Sequence, residues 1–309
     1  MKKAFKGLGT DEYRIIKLLT THDNAQRQDI KLYYNTAFGA DLVNDLKSEI
    51  AGNFEDLAVA LLVPADEYDA RCLHSAVATM GTNEDWLIEI LCARTKDEIE
   101  KINAAYKQLY SHDLSEDIEK ETSGILQRVL LSVSTGARDQ TKGDDVDDEL
   151  AQMDARELYD AGEGKNAGTD DEMFNLIFAL RSWAHLRAVF EHYKKLSDKD
   201  IEESIMNEFS LNAKKAFLAI AKYAKDPTRY FAERLRKALK EDMLDLFDLN
   251  SDADDSLIRL VVSHSETDLL TVKGRYRELY GERLEDTVTE ECSGDYRKLL
   301  LKILSPDTA

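Results

Sequence analysis

Apolar positions recur along the chain at the three- and four-residue intervals of a single buried helix face. Ile15, Ile16, Leu18 and Leu19 form one such face, and Leu87, Ile88, Ile90 and Leu91 form another. Phe174, Ile177 and Phe178 make a third, and Leu257, Ile258, Leu260 and Val261 a fourth. Other columns repeat in the same register, counted from Gly9, Gly81, Gly168 and Ser251. A tyrosine stands at plus 25 (Tyr34, Tyr106, Tyr193, Tyr276) and an aliphatic at plus 33 (Leu42, Leu114, Ile201, Leu284). Glu49, Glu121, Glu208 and Glu291 stand at plus 40. Plus 43 is glycine at Gly52, Gly124 and Gly294, with Leu211 in the third copy. Columns of this kind define an internal repeat of roughly 70–85 residues.

Within a copy, a loop precedes the first of these apolar faces. A turn follows, near Asn24 in the first copy and at Lys96-Asp97 in the second, and then a helix carrying the tyrosine. A further helix begins near the plus-33 aliphatic and ends at the glutamate, before the plus-43 turn. The apolar run Asp56–Val63 closes the first copy as its last helix. Ala65–Val77 supply an opening helix in the second copy, whereas only Met1–Phe5 precede the first loop, so there that helix is expected to be mostly missing. The expected division is repeat 1 over 1–64, repeat 2 over 65–137, repeat 3 over 151–225 and repeat 4 over 226–309. Between the second and third lies an acidic stretch, 138–150, with Lys142-Gly143-Asp144-Asp145, expected to be a solvated linker.

Three prolines and fourteen glycines in 309 residues fit an all-α chain. The hydrophobic fraction of 43% and charged fraction of 33% describe a soluble globular protein. Apolar runs such as Leu57–Pro64 are far shorter than a membrane span, and no charged-then-apolar leader opens the sequence. Cys72, Cys92 and Cys292 lack metal spacing and read as reduced core thiols of a cytoplasmic protein. The net charge of −20 excludes nucleic acid as a partner and repels anionic lipid unless something neutralises the encounter.

A divalent cation would do so, and the loops have the chemistry for one. In Lys6-Gly7-Leu8-Gly9-Thr10-Asp11, two glycines around one apolar residue let the backbone aim carbonyl oxygens at one point. A carboxylate brought in by Glu49 completes an oxygen cage of the kind Ca2+ prefers. Thr10 reads as the N-cap of the next helix, with Asp11 and Glu12 in its first turn. Gly81-Thr82-Asn83-Glu84 with Glu121, and Gly168-Thr169-Asp170-Asp171 with Glu208, repeat the pattern. Catalytic signatures such as G-x-S-x-G, H-E-x-x-H or a P-loop do not occur, so no enzyme is expected. His22 and His264 recur at plus 13, where the other copies have Arg94 and Arg181, which reads as a structural position.

Four copies of a five-helix unit with K-G-x-G-T-D and an acidic residue forty positions on resemble the annexin family. Thr122-Ser123-Gly124 and Cys292-Ser293-Gly294-Asp295-Tyr296 are similar to that family's turn after the fourth helix. The resemblance covers nearly the whole chain. It implies four right-handed five-helix repeats in a curved disc, with calcium loops on the convex face. It also implies Ca2+-dependent peripheral docking to acidic phospholipid membranes, with room for protein partners or lateral self-association on the membrane.

Carried over residue by residue, the first site uses the carbonyls of Phe5, Gly7 and Gly9 and the side chain of Glu49. Thr10 and Glu12 match a secondary calcium position beside it. The second site uses Val77, Thr79, Gly81 and Glu121, with β-branched Thr79 standing where the family has glycine. In the third, Gly164-Lys165-Asn166-Ala167-Gly168 reads as one residue longer. Its carbonyl donors fall among Gly162, Gly164 and Asn166, with Gly168 and Glu208. The fourth loop, Asp242–Asp255, has no glycine, and its site is expected to be lost despite Glu291. Leu8 and Met80 are expected to dip into the membrane interface, the smaller Ala167 less so, and Lys6 to meet a headgroup phosphate or solvent. The family's central polar path has counterparts in Asp69, Glu89, Arg94 and Arg259, expected to form ion pairs first of all. The rival reading is a calcium-independent helical scaffold for protein partners.

Overall fold

A computed structural model describes residues 1–2, 4–5, 9–78, 81–165, 168–240 and 253–305. Among the described residues every regular element is helical. The first repeat contains α1 (Glu12–Thr20), α2 (Asn24–Phe38), α3 (Leu42–Glu49) and α4 (Asn53–Ala60). The second contains α5 (Ala65–Ala78), α6 (Glu84–Leu91), α7 (Lys96–Tyr110), α8 (Leu114–Glu121) and α9 (Gly124–Ser134). After a short 3-10 turn at Gly143–Asp145 come α10 (Asp148–Ala161), α11 (Asp171–Leu180), α12 (Trp183–Ser197), α13 (Ile201–Glu208) and α14 (Leu211–Lys225). The last group is α15 (Pro227–Leu239), α16 (Ala253–His264), α17 (Leu269–Tyr280), α18 (Leu284–Glu291) and α19 (Gly294–Leu304).

The repeated columns explain the recurring boundaries. Each plus-33 aliphatic is the first residue of a helix (α3, α8, α13, α18), and each plus-40 glutamate is its last. The next residue is extended and buried in all four copies: Ile50, Thr122, Phe209 and Cys292 are 6–8% exposed. Inserting that side chain into the core leaves the preceding glutamate at the rim. Gly52, Gly124 and Gly294 then turn the chain at φ of 65°, 66° and 62°, a conformation that disfavours any Cβ. The turn is so tight that α4 begins at Asn53, three residues before the expected Asp56. Leu211 has no such freedom, and there Ser210 makes the turn in extended geometry, φ −76° and ψ 166°.

The helix before each of these ends in a left-handed residue at plus 30: Gly39, Ser111, Asp198 and Gly281. The plus-25 tyrosines sit one turn inside that end and are at most 2% exposed. Cys72, Cys92 and Cys292 are free and buried, and burial pushes the Cys92 thiol up to about 12.

The chain forms two compact units, Met1–Tyr68 with Phe231–Ala309, and Asp69–Tyr230. In the first, α4 packs on α3, α16 and α19, and α1 packs on α19. Arg27 is buried there, its Nε donating to the Leu61 carbonyl at 2.7 Å and its Nη1 to Leu19 and His22 at 2.9 and 2.7 Å. Its Nη2 pairs with Glu266.

In the second unit α14 lies against α6, α9, α11, α12 and α13. The plus-13 arginines meet buried aspartates. Arg94 reaches Asp69 through Nε at 2.8 Å and Nη2 at 3.2 Å, and Arg181 reaches Asp154 at 2.7 and 2.9 Å. His185 Nε2 adds a third contact to Asp154 at 2.8 Å. Glu89 is likewise buried, as is Arg259 in the first unit. Arg138, expected at the start of a solvated linker, is instead buried: its guanidinium stacks 3.7 Å from the Trp183 ring and donates to the Arg181 carbonyl at 2.6 Å. The flat cation is only weakly hydrated and packs on an indole face more favourably than its charge alone suggests.

Candidate metal-binding loops

Each of the first three loops leads into a helix and is closed by one main-chain bond. The Asp11 N–H donates to the Ala4 carbonyl at 3.0 Å, and the Asn83 N–H to Ala76 at 2.8 Å, each bridging seven residues. In the third repeat Asp170 N–H reaches Ala161 at 2.8 Å, a span of nine, so that loop is two residues longer and not one. Gly9, Gly81 and Gly168 hold φ of 93°, 94° and 70° just before the helix, with no heavy atom within 4 Å of where a Cβ would sit. Glycine is needed there for its backbone, not for space.

The N-cap is the second residue after that glycine. Asp11 accepts from the Arg14 N–H, Asn83 from Trp86 and Asp170 from Met173. Thr10, expected in that role, does something else. Its Oγ1 donates to Glu49 Oε2 at 2.9 Å and lies 3.3 Å from the Glu49 carbonyl. Thr169 does the same with Glu208, at 2.6 Å to Oε2 and 3.4 Å to the carbonyl. Thr82 reaches the Glu121 carbonyl at 3.1 Å, while the Glu121 carboxylate pairs with Lys120 at 3.0 Å. The signal lay in the sequence, because aspartate or asparagine at plus 2 caps a helix better than threonine at plus 1. That frees the threonine hydroxyl to reach across the loop.

The structure thus brings Gly9, Thr10 and Glu49 together, and likewise Gly168, Thr169 and Glu208. Gly81 and Glu121 are joined through Thr82, with the carboxylate turned to a lysine. Glu12 is the first residue of α1, Phe5 is half-buried beside its loop, and Val77 is buried in the last turn of α5. Gly164 packs against Tyr159. Gly7, Thr79 and Asn166 lie outside the described residues, as do Lys6, Leu8, Met80, Ala167 and 241–252 of the fourth loop. In that repeat Glu291 pairs with Lys240 at 3.3 Å, and Glu290 pairs with the same lysine at 3.1 Å. Lys240 fills with its own charge the role a cation would take.

Among the described residues no group of three or more His, Cys, Asp or Glu side chains is placed to hold a metal ion. A cation at these loops therefore depends on main-chain oxygens plus a single carboxylate, the donor set of a hard ion. The first and third loops fit that requirement. Their glutamates are held at the loop by a neutral hydroxyl, which keeps the full negative charge available. The second fits in part, and the fourth, with its lysine, does not.

In the first three repeats a glycine loop is joined through a threonine to the terminal glutamate of a later helix. The annexin family model matches residues 1–61, 68–133, 153–220 and 230–303, and the chain belongs to the annexin family. It is 44% identical to annexin A4 of Homo sapiens over 307 residues, covering 99% of this chain and 93% of that protein. Among solved structures, annexin III superposes with a TM-score of 0.92 at 40% identity, covering 99% of this chain and 92% of that one. A calcium-bound annexin (Sm)1 matches with a TM-score of 0.84 at 29% identity, covering 100% and 89%. The fold is therefore the all-α annexin fold. No helix among the described residues is long and apolar enough to cross a membrane.

Proposed function

We propose that this chain is a non-enzymatic, calcium-dependent binder of acidic phospholipid membranes, acting through its first and third loops and more weakly through its second. The observation that carries this reading is the threonine-to-glutamate bond in the first and third repeats. It holds a charged carboxylate beside a backbone turn, at the point where the loop meets the next helix.

In the first site Phe5, Gly7 and Gly9 would give carbonyls and Glu49 its carboxylate, with Thr10 and Glu12 at a secondary position. In the third, Gly164, Asn166 and Gly168 would serve with Glu208. In the second, Val77, Thr79 and Gly81 would serve with Glu121 once Lys120 lets go. When bound, Ca2+ would supply the positive charge and the open coordination positions that a lipid phosphate oxygen can fill. The protein's part is to hold each carboxylate ready and to leave one side of the cage unfilled. With too few protein oxygens, each loop binds calcium poorly in solution and better on a bilayer, and by linkage lipid affinity rises with calcium. Several weak loops then add through effective concentration. The net charge of −20 makes the cation a requirement of docking.

The reading places the protein in the cytoplasm, peripheral to membranes when calcium rises. Co-sedimentation with phosphatidylserine vesicles tests it: pelleting with millimolar calcium and release by chelator are expected. Vesicle binding that ignores calcium, or none at all alongside calcium-independent capture of protein partners, would favour a scaffold instead.

A further inference from the structure

We infer that Glu163, in the lengthened third loop, is a positioning residue that fixes that loop against the helix carrying Glu208. This rests on the calcium reading above and deepens it. The inference comes from comparing one position, plus 36, across the four repeats. In each, the residue there faces the buried plus-25 tyrosine. Tyr34 donates to Asp45 at 2.5 Å, Tyr106 donates to Asp117, and Tyr276 meets Thr287 Oγ1 at 3.1 Å. In the first and second repeats the plus-36 carboxylate is met from outside the loop, by Lys2 at 3.3 Å and by His112 at 2.6 Å.

The third repeat is built differently. Its plus-36 residue is Ser204, whose hydroxyl donates at 2.8 Å to Oε1 of Glu163. Lys199 Nζ donates to the same oxygen at 2.9 Å. Tyr193, facing Ser204, is left buried without a hydrogen-bond partner among the described residues, and burial pushes its hydroxyl up to about 12. The missing carboxylate of α13 is thus replaced by one from the loop. Glu163 is largely buried, and it lies within the nine-residue span that is two longer than in repeats 1 and 2.

The residues beside it are fixed as well. The Gly164 N–H donates to the Tyr159 carbonyl at 2.8 Å, and the Lys165 N–H to Gly162 at 2.9 Å. A Cβ on Gly164 would lie 3.0 Å from the Tyr159 carbonyl and 3.1 Å from its ring. One side of the loop is therefore tied to the end of α10 and the other to α13. Ser204 and Glu208 are one helical turn apart on α13, so Glu163 and the Glu208 carboxylate are anchored on the same helix. A loop ordered before the ion arrives loses less conformational freedom on binding. Losing two hydrogen bonds to one carboxylate should weaken the third site about tenfold.

The test compares Glu163→Ala and Glu163→Gln in a Glu49→Gln, Glu121→Gln background, where the third loop carries the calcium response. Two readouts are taken: amide exchange of residues 162–165 without calcium, and the calcium needed for half-maximal binding to phosphatidylserine vesicles. Glu163→Ala should speed exchange and raise the calcium requirement about tenfold. Glu163→Gln keeps an acceptor for Ser204 and should fall between. Adding Ser204→Asp to Glu163→Ala returns a partner to Tyr193, and should recover any lost thermal stability without recovering the calcium response. Unchanged exchange in Glu163→Ala, an unchanged calcium requirement, or recovery of calcium binding by Ser204→Asp would each overturn the proposal. If the parent protein ignores calcium, the calcium reading falls, and the exchange measurement, made without calcium, still decides whether Glu163 holds the loop.

Discussion

Thr10 and Glu49 are joined side chain to side chain across one loop, Oγ1 to Oε2 at 2.9 Å. The pair links the start of α1 to the last residue of α3, and Thr169 and Glu208 repeat it at 2.6 Å. A hydroxyl in this place orients the carboxylate without neutralising it. Thr10→Val and Thr169→Val keep the shape and remove the donor. Each should raise the calcium needed for vesicle binding by about three- to tenfold, the worth of one hydrogen bond. Thr82→Val should change it less, because Thr82 reaches only the main chain of Glu121. A calcium titration of vesicle binding checks the order, and equal effects at all three positions would contradict it.

The carboxylates themselves should rank by what now holds them. Glu49 and Glu208 are met by hydroxyls, Glu121 by Lys120 and Glu291 by Lys240. Glu49→Gln and Glu208→Gln are expected to impair calcium-dependent docking most, Glu121→Gln less, and Glu291→Gln least. In the reverse direction, Lys240→Gln releases Glu291 but supplies no glycine loop, so it should not add a calcium site. Isothermal titration of the variants on nanodiscs with acidic lipid would measure both, and a large loss from Glu291→Gln alone would defeat the ranking.

The helical frame was legible because its signals are periodic. Tyr34, Tyr106, Tyr193 and Tyr276 are all buried, and Leu42, Leu114, Ile201 and Leu284 all open helices, as a repeated column requires. What escaped was pairing at a distance. Asp11 is the better cap and takes the free amides, but nothing local shows that the released Thr10 hydroxyl then finds Glu49. Arg138 read as linker because nothing local shows that Trp183 offers it an aromatic face. Glu163 was invisible for a related reason. The third loop read as one residue longer, and only the Asp170–Ala161 bond counts the second.

Ser111 ends α7 with φ of 65°, in the left-handed region where a Cβ crowds the following carbonyl. Gly39 and Gly281 hold the matching place in the first and fourth repeats at 61° and 72°. Ser111→Gly removes a strain of roughly 1–2 kcal/mol and adds back part of it as unfolded-chain entropy, for a net gain of about 0.5–1 kcal/mol. Asp198→Gly should gain less, since aspartate tolerates this conformation better than serine. Urea unfolding resolves the difference, and a loss of stability in Ser111→Gly would refute the argument.

His112 bonds to Asp117 at 2.6 Å and to the Tyr110 carbonyl at 2.8 Å, and the Asp117 bond chiefly raises its ionisation above the ordinary 6.5. Asp117 is held below its usual value, burial being outweighed by hydrogen bonds from Tyr106 and His112. A group whose folded value is raised stabilises fully below its unfolded value and loses that contribution as pH rises through the folded one. The stability difference between wild type and His112→Gln should therefore be greatest below pH 6.5 and fade above it. Unfolding curves at a series of pH values, with the His112 ring followed by NMR, test the direction. A difference that grows with pH would show the sign to be wrong.

Asp69 and Asp154 are the two buried carboxylates that answer the plus-13 arginines, and removing either charge strands a cation. The consequences should differ because the stranded groups differ. The Arg94 side chain is 9% exposed, and a guanidinium does not shed its proton. Arg181 is 35% exposed, so it can turn towards solvent. Asp69→Asn should then cost about 3–5 kcal/mol, the range for breaking one side of a buried pair, and Asp154→Asn roughly half that. Hydrogen exchange of α6 and α11 under mild urea reports each region separately. If α11 is loosened more by Asp154→Asn than α6 is by Asp69→Asn, exposure of the orphaned cation is not what sets the loss.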